Sequence, residues 1–82
     1  MNQKLKEGRE WATKRLRQYA QKANVPIDDA SWHDIVSKDA SEFAVESGGE
    51  KKLYVIQNLL LEDDQCRNDV DQIMESIVKE FS

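Results

Sequence analysis

Four groups of residues in this chain are of types that do chemistry elsewhere, and their spacing decides among them. His33 is the sole histidine, and a lone histidine acts as a base only with an orienting partner and a substrate pocket. Asp34 follows it directly, but consecutive residues on a helix do not face each other. His33 therefore reads as a half-exposed helix residue. Cys66 is the sole cysteine, so these 82 residues hold neither an intramolecular disulfide nor a cysteine metal cluster. At the start of a helix the dipole would lower its thiol pKa, yet Asp63, Asp64 and Asp69 oppose a thiolate. It also falls on an apolar helical face, as small buried cysteines do.

The acidic run Glu62, Asp63, Asp64, Asn68, Asp69 and Asp71 has the composition of a calcium loop. Such a loop needs a glycine in its middle for the sharp turn, and no glycine follows Gly49. The carboxylates are better placed to cap a helix, where the positive end of its dipole favours them. Gly48-Gly49 lacks the spacing of a phosphate-binding loop. The expectation is a protein with no catalytic residues, no metal and no cofactor, and hence not an enzyme.

The fourth group is Trp11 and its neighbours. At about 100° per residue, Trp11 falls off the Leu5, Leu16, Tyr19, Ala23 face and close to Lys4, Arg15, Lys22 and Gln18, with Lys14 further round. A tryptophan among cations suits a protein hot spot, with the aromatic as anchor and the cations steering an acidic partner. It also suits nucleobase stacking beside neutralised phosphates, and it suits plain packing beneath a neighbouring helix with lysine stems along the rim. The expected binding residues are Lys4, Trp11, Lys14, Arg15 and Lys22. The expected partner is a protein or a second copy of the chain, with nucleic acid as the alternative.

Charge separates along the chain. Residues 1–24 carry seven basic and two acidic residues, whereas the remainder carries five basic and fourteen acidic, giving a net −4. That asymmetry marks either a partner surface or attraction between the two parts within the fold. Fourteen carboxylates outside the basic stripe count against a phosphate backbone as partner. No apolar run reaches the roughly 18 residues of a membrane span, and the first ten residues lack the apolar core of a signal peptide. The expectation is a cytoplasmic protein.

The elements that position these residues follow from periodicity. Cys66, Val70, Ile73, Met74, Ile77, Val78 and Phe81 recur at helical spacing and predict an amphipathic helix over 63–81. Its apolar face must be covered, because packing supplies most of a helix's stability. Residues 3–23 predict a first helix, ending at Asn24 in a left-handed position and at Pro26. Ser31 as cap, followed by Trp32, Ile35, Val36, Ala40, Phe43 and Ala44 at helical spacing, predicts a second helix. Residues 41–61 read two ways. Leu53, Ile56 and Leu60 share a helical face, whereas Phe43 and Val45 alternate with polar residues, Gly48-Gly49 is a turn, and Leu53–Ile56 has strand composition. The fold expected is all-α, one small domain over 1–82 built as a compact bundle of about four helices. The alternative is α+β, helix–helix–hairpin–helix with a small hairpin within 41–61.

Overall fold

The computed structural model describes residues 2–82 and has an α+β architecture rather than a helical bundle. In order along the chain come α1 (Gln3–Ala23), β1 (Asp29–Ile35), β2 (Ala40–Ser47), β3 (Glu50–Gln57), the short α2 (Asn58–Glu62) and α3 (Arg67–Phe81). The strands form one antiparallel meander in the order β1-β2-β3.

Helix α1 starts where Asn2 caps it, the side-chain oxygen accepting the Leu5 N–H at 2.6 Å. It stops at Asn24, which takes the left-handed conformation with φ 58°, and the Val25 N–H returns to the Ala20 carbonyl at 2.9 Å. Helix α3 begins later than its periodicity alone implies. Asp63 caps a single 3₁₀ turn, Asp64–Cys66, by accepting the Gln65 N–H at 2.9 Å, and regular helix starts at Arg67.

The second expected helix does not form. Trp32 and Phe43 are instead opposite one another on β1 and β2, their rings stacked with centroids 4.1 Å apart. Ser41, Phe43 and Val45 are all fully buried. Residues two apart share a face only on a strand, so burial at this spacing requires extended chain. The reversal between β1 and β2 is a 3₁₀ turn, Val36–Lys38, closed by Asp39 in the left-handed region at φ 49°. The hairpin of the alternative reading is present as β2 and β3, turning at Gly48 and Gly49 with φ 58° and 86°. Positive φ at both central residues is the type I′ geometry that matches strand twist. Helical chain resumes only at Asn58, so Leu59, Leu60 and Leu61 are helical but Leu53 and Ile56 are not.

Both long helices pack on one face of the sheet. That inner face carries Trp32, Phe43 and Tyr54 in one row across the strands, flanked by Ser41 with Ile56 and by Ala30 with Val45. Leu5, Ala12, Leu16 and Ala20 from α1 and Val70, Met74, Ile77 and Val78 from α3 complete the core with Leu61 of α2. The opposite face presents His33, Glu42 and Val55 in one row and Ser31, Ala44 and Leu53 in the next. At Gly8 the first helix touches the backbone of α2. A Cβ there would lie 1.9 Å from the Leu61 carbonyl oxygen, so only glycine permits this crossing.

Candidate functional site

Trp11 sits where α1 meets the start of α3. Its ring packs on the edge of the core and is partly exposed. The Arg67 guanidinium lies over it, 5.3 Å from the ring centroid, a cation–π geometry. Arg67 is itself fixed, donating to the Leu61 carbonyl at 2.8 Å and to Asp64 at 3.1 Å. Trp11, Arg15, Arg67, Asn68 and Asp71 line a shallow groove of about 400 Å³ between the two helices.

Arg15 is engaged inside the fold. Its Nε donates to one carboxylate oxygen of Asp71, while the Tyr19 hydroxyl donates to the other. Arg15 also donates to the Tyr19 oxygen at 3.2 Å and lies over the Tyr19 ring. The hydrogen bond from Arg15, followed by that from Tyr19, holds the Asp71 carboxyl below its usual range, and the bond to Asp71 raises the Tyr19 hydroxyl. Part of the charge asymmetry of the chain is thus attraction between α1 and α3. Of the five residues expected to bind a partner, Lys4, Lys14 and Lys22 are exposed and make no ion pair among the described residues. Trp11 is half-buried, and Arg15 is neutralised by Asp71.

Sequence reasoning missed Arg67 and Asp71 as members of this site. Arg67 carried a signal, being a cation in the first turn of a helix, where the dipole disfavours positive charge. It also missed Arg9. That side chain is buried between α1 and the sheet, bonded to Asp34 at 2.6 Å and to the Ser41 hydroxyl at 2.7 Å. Ser41 donates to Asn58 at 2.6 Å, and Asn58 donates to Asp39 at 3.0 Å. Alongside, the Trp32 indole N–H reaches the Thr13 hydroxyl at 2.9 Å. The position of Arg9 on the helical wheel, between Leu16 and Ala20, was the available signal.

His33 is exposed on the outer sheet face, its Cα opposite that of Glu42. Cys66 is half-buried, and desolvation, followed by the charges of Asp63 and Asp69, pushes its thiol pKa up, away from nucleophilic use. Among the described residues no three His, Cys, Asp or Glu side chains converge as metal ligands. Among the described residues no helix is long and apolar enough to cross a membrane. No family model matches the chain, and neither a curated protein nor a solved structure is significantly similar to it.

Proposed function

We propose that this chain is a non-catalytic protein-interaction module that takes an acidic partner segment at the groove between α1 and α3. The observation that carries the reading is the half-exposed Trp11 ring, roofed by Arg67, with exposed lysines on the same helix that make no ion pair among the described residues. A large aromatic in a groove, with exposed lysines further along the same helix, has the composition of a hot spot, the ring supplying contact area and the lysines steering. Arg15 contributes shape and a fixed hydrogen-bonding edge rather than free charge, since Asp71 already neutralises it. The lone Cys66, without a disulfide partner, suits a reducing compartment, and we take the cytoplasm as the setting.

Selection of binders from a random peptide display library tests the reading. Binders should carry carboxylates around an apolar anchor, quench or shift Trp11 emission in a Trp32→Phe background, and be lost in a Lys4→Glu, Lys22→Glu double variant. Binders without acidic bias that survive the charge reversal would sink it.

A further inference from the structure

A different surface, independent of the Trp11 groove, carries a second inference. Strand β3 is an edge of the sheet, and the direction of its free backbone groups follows from the hairpin. The two-residue type I′ turn makes Ser47 and Glu50 the first hydrogen-bonded pair. Such pairs alternate in an antiparallel ladder, so Val45 with Lys52, Phe43 with Tyr54 and Ser41 with Ile56 are hydrogen-bonded as well. The Asn58 N–H bound to the Asp39 carbonyl at 3.2 Å extends the same series. The backbone N–H and C=O groups of Lys51, Leu53, Val55 and Gln57 therefore point away from the sheet.

Two of those four residues are also the large apolar side chains that β3 shows to water, Leu53 at 57% and Val55 at 63% exposure. Exposed edges are normally blunted by charge. Edge strand β1 carries Asp29 and Asp34 near its two ends, with polar Ser31 and His33 between them on the outer face. On β3 the charges are confined to Glu50, Lys51 and Lys52, and Leu53–Ile56 carries none.

From this edge we infer that two copies of the chain pair through β3, antiparallel about a two-fold axis at Tyr54, to form one six-stranded sheet. Only registers that set an outward-pointing residue opposite another complete the ladder, and this excludes every pairing of an odd with an even position. A two-fold at residue 51 or 52 sets lysine against the same lysine. At 53 it sets Lys51 against Val55, and at 55 it sets Leu53 against Gln57. At Tyr54 it sets Leu53 against Val55 twice and Lys51 against Gln57 twice on the outer face. On the inner face it sets Lys52 against Ile56 twice, where the lysine stem can lie along the isoleucine, with no like charges opposite. The four apolar side chains then form one patch on the outer face, and the row Trp32, Phe43, Tyr54 continues into its copy on the inner face. Beside Tyr54 on the inner face lies an open groove of about 410 Å³, lined by Asp69, Gln72, Ile73, Ser76, Ile77 and Glu80.

Amide hydrogen exchange on the unmodified chain reads this directly, at low micromolar and at near-millimolar concentration. The amides of Lys52, Tyr54 and Ile56 should be protected at both. Those of Leu53 and Val55 should exchange freely when dilute and slow about tenfold or more when concentrated. Sedimentation should show a monomer–dimer equilibrium that added salt does not weaken, whereas docking of α1 on an acidic surface would weaken. Val55→Lys, an exposed substitution checked for an unchanged thermal melt, should be monomeric throughout, and Lys22→Glu should dimerise as the parent does. Free exchange at Leu53 and Val55 at the highest concentration, or a dimer that persists in Val55→Lys, overturns the inference.

Discussion

Two arginines on α1, six residues apart, do opposite kinds of work. Arg9 exposes 7% of its side chain and Arg15 34%. Arg9 reaches the inner face of the sheet, where Ser41 is fully buried and hands its hydroxyl proton toward Asn58. Arg15 stays at the rim and meets a carboxylate of α3 that also takes a tyrosine hydroxyl. Removing Arg9 leaves the buried Ser41 hydroxyl without a donor, at a cost of about 1–3 kcal/mol, while Asp34, 57% exposed, can return to water. A rim pair is screened by solvent and salt and contributes far less. The depth of the seat, more than the identity of the pair, sets what each arginine contributes to the fold. The first joins helix to sheet; the second trims helix against helix and borders the groove at Trp11.

The largest effect should come from lifting α1 off α2 beside the Arg9 seat. Gly8→Ala drives a methyl into the Leu61 carbonyl and should destabilise by about 3 kcal/mol or more. Urea titration followed by far-UV circular dichroism would measure it, and a near-neutral result would mean the helices do not cross this closely. Next is Arg9→Ala, expected to cost about 2–3 kcal/mol because Ser41 and its neighbours lose a buried donor. A loss no greater than that of Arg15→Ala would erase the contrast between the two seats.

Smaller again is the pH-dependent share held by the rim pair. The folded state depresses the Asp71 pKa, so its contribution is fully present above the unfolded value of 3.8 and is lost as pH falls through the lower folded value. Asp71→Asn should lower the urea midpoint at neutral pH, and the gap to the parent should close in strong acid. A gap of constant size would show that Arg15 and Tyr19 do not select the charged form. A second pH-dependent share, at the alkaline end, belongs to Tyr54, whose hydroxyl donates to Glu80 at 3.0 Å. Burial first, and that bond second, push its pKa up to about 12. The stability it contributes is intact below the ordinary tyrosine value of 10.0 and declines as pH rises toward about 12. Tyr54→Phe should remove that alkaline decline, which thermal melts at a series of alkaline pH values would detect.

The terminal elements were legible in the sequence because they are long, and their periodicity repeats over many turns. Leu5, Ala12 and Leu16 on one side and Val70, Met74 and Ile77 on the other are buried as their spacing implied. The middle was misread for a physical reason. Trp32, Ile35, Val36, Ala40, Phe43 and Ala44 fit a helical rhythm, but Val36 lies in the turn and is 89% exposed. Ser41, polar and fully buried, broke the apolar alternation that would have announced a strand. Its burial depends on Arg9, thirty-two residues earlier, and no local pattern reports a partner at that distance. For the same reason Arg15 read as a free cation in a stripe. Asp71, which neutralises it, lies fifty-six residues away in sequence.

The helix made first and the helix made last among these elements are each other's cover. Leu16 of α1 and Met74 of α3 belong to the same core, so nothing translated before α3 can finish burying the face of α1. During synthesis the meander can pair its strands as they emerge, since each strand bonds to the next. Its inner face, however, must wait with α1, half covered, until Val70–Val78 has left the ribosome. The order of assembly is thus set by topology. Among these elements α3 is the last, and a chain truncated before Arg67 lacks the cover that Val70, Met74, Ile77 and Val78 give to α1 and the sheet.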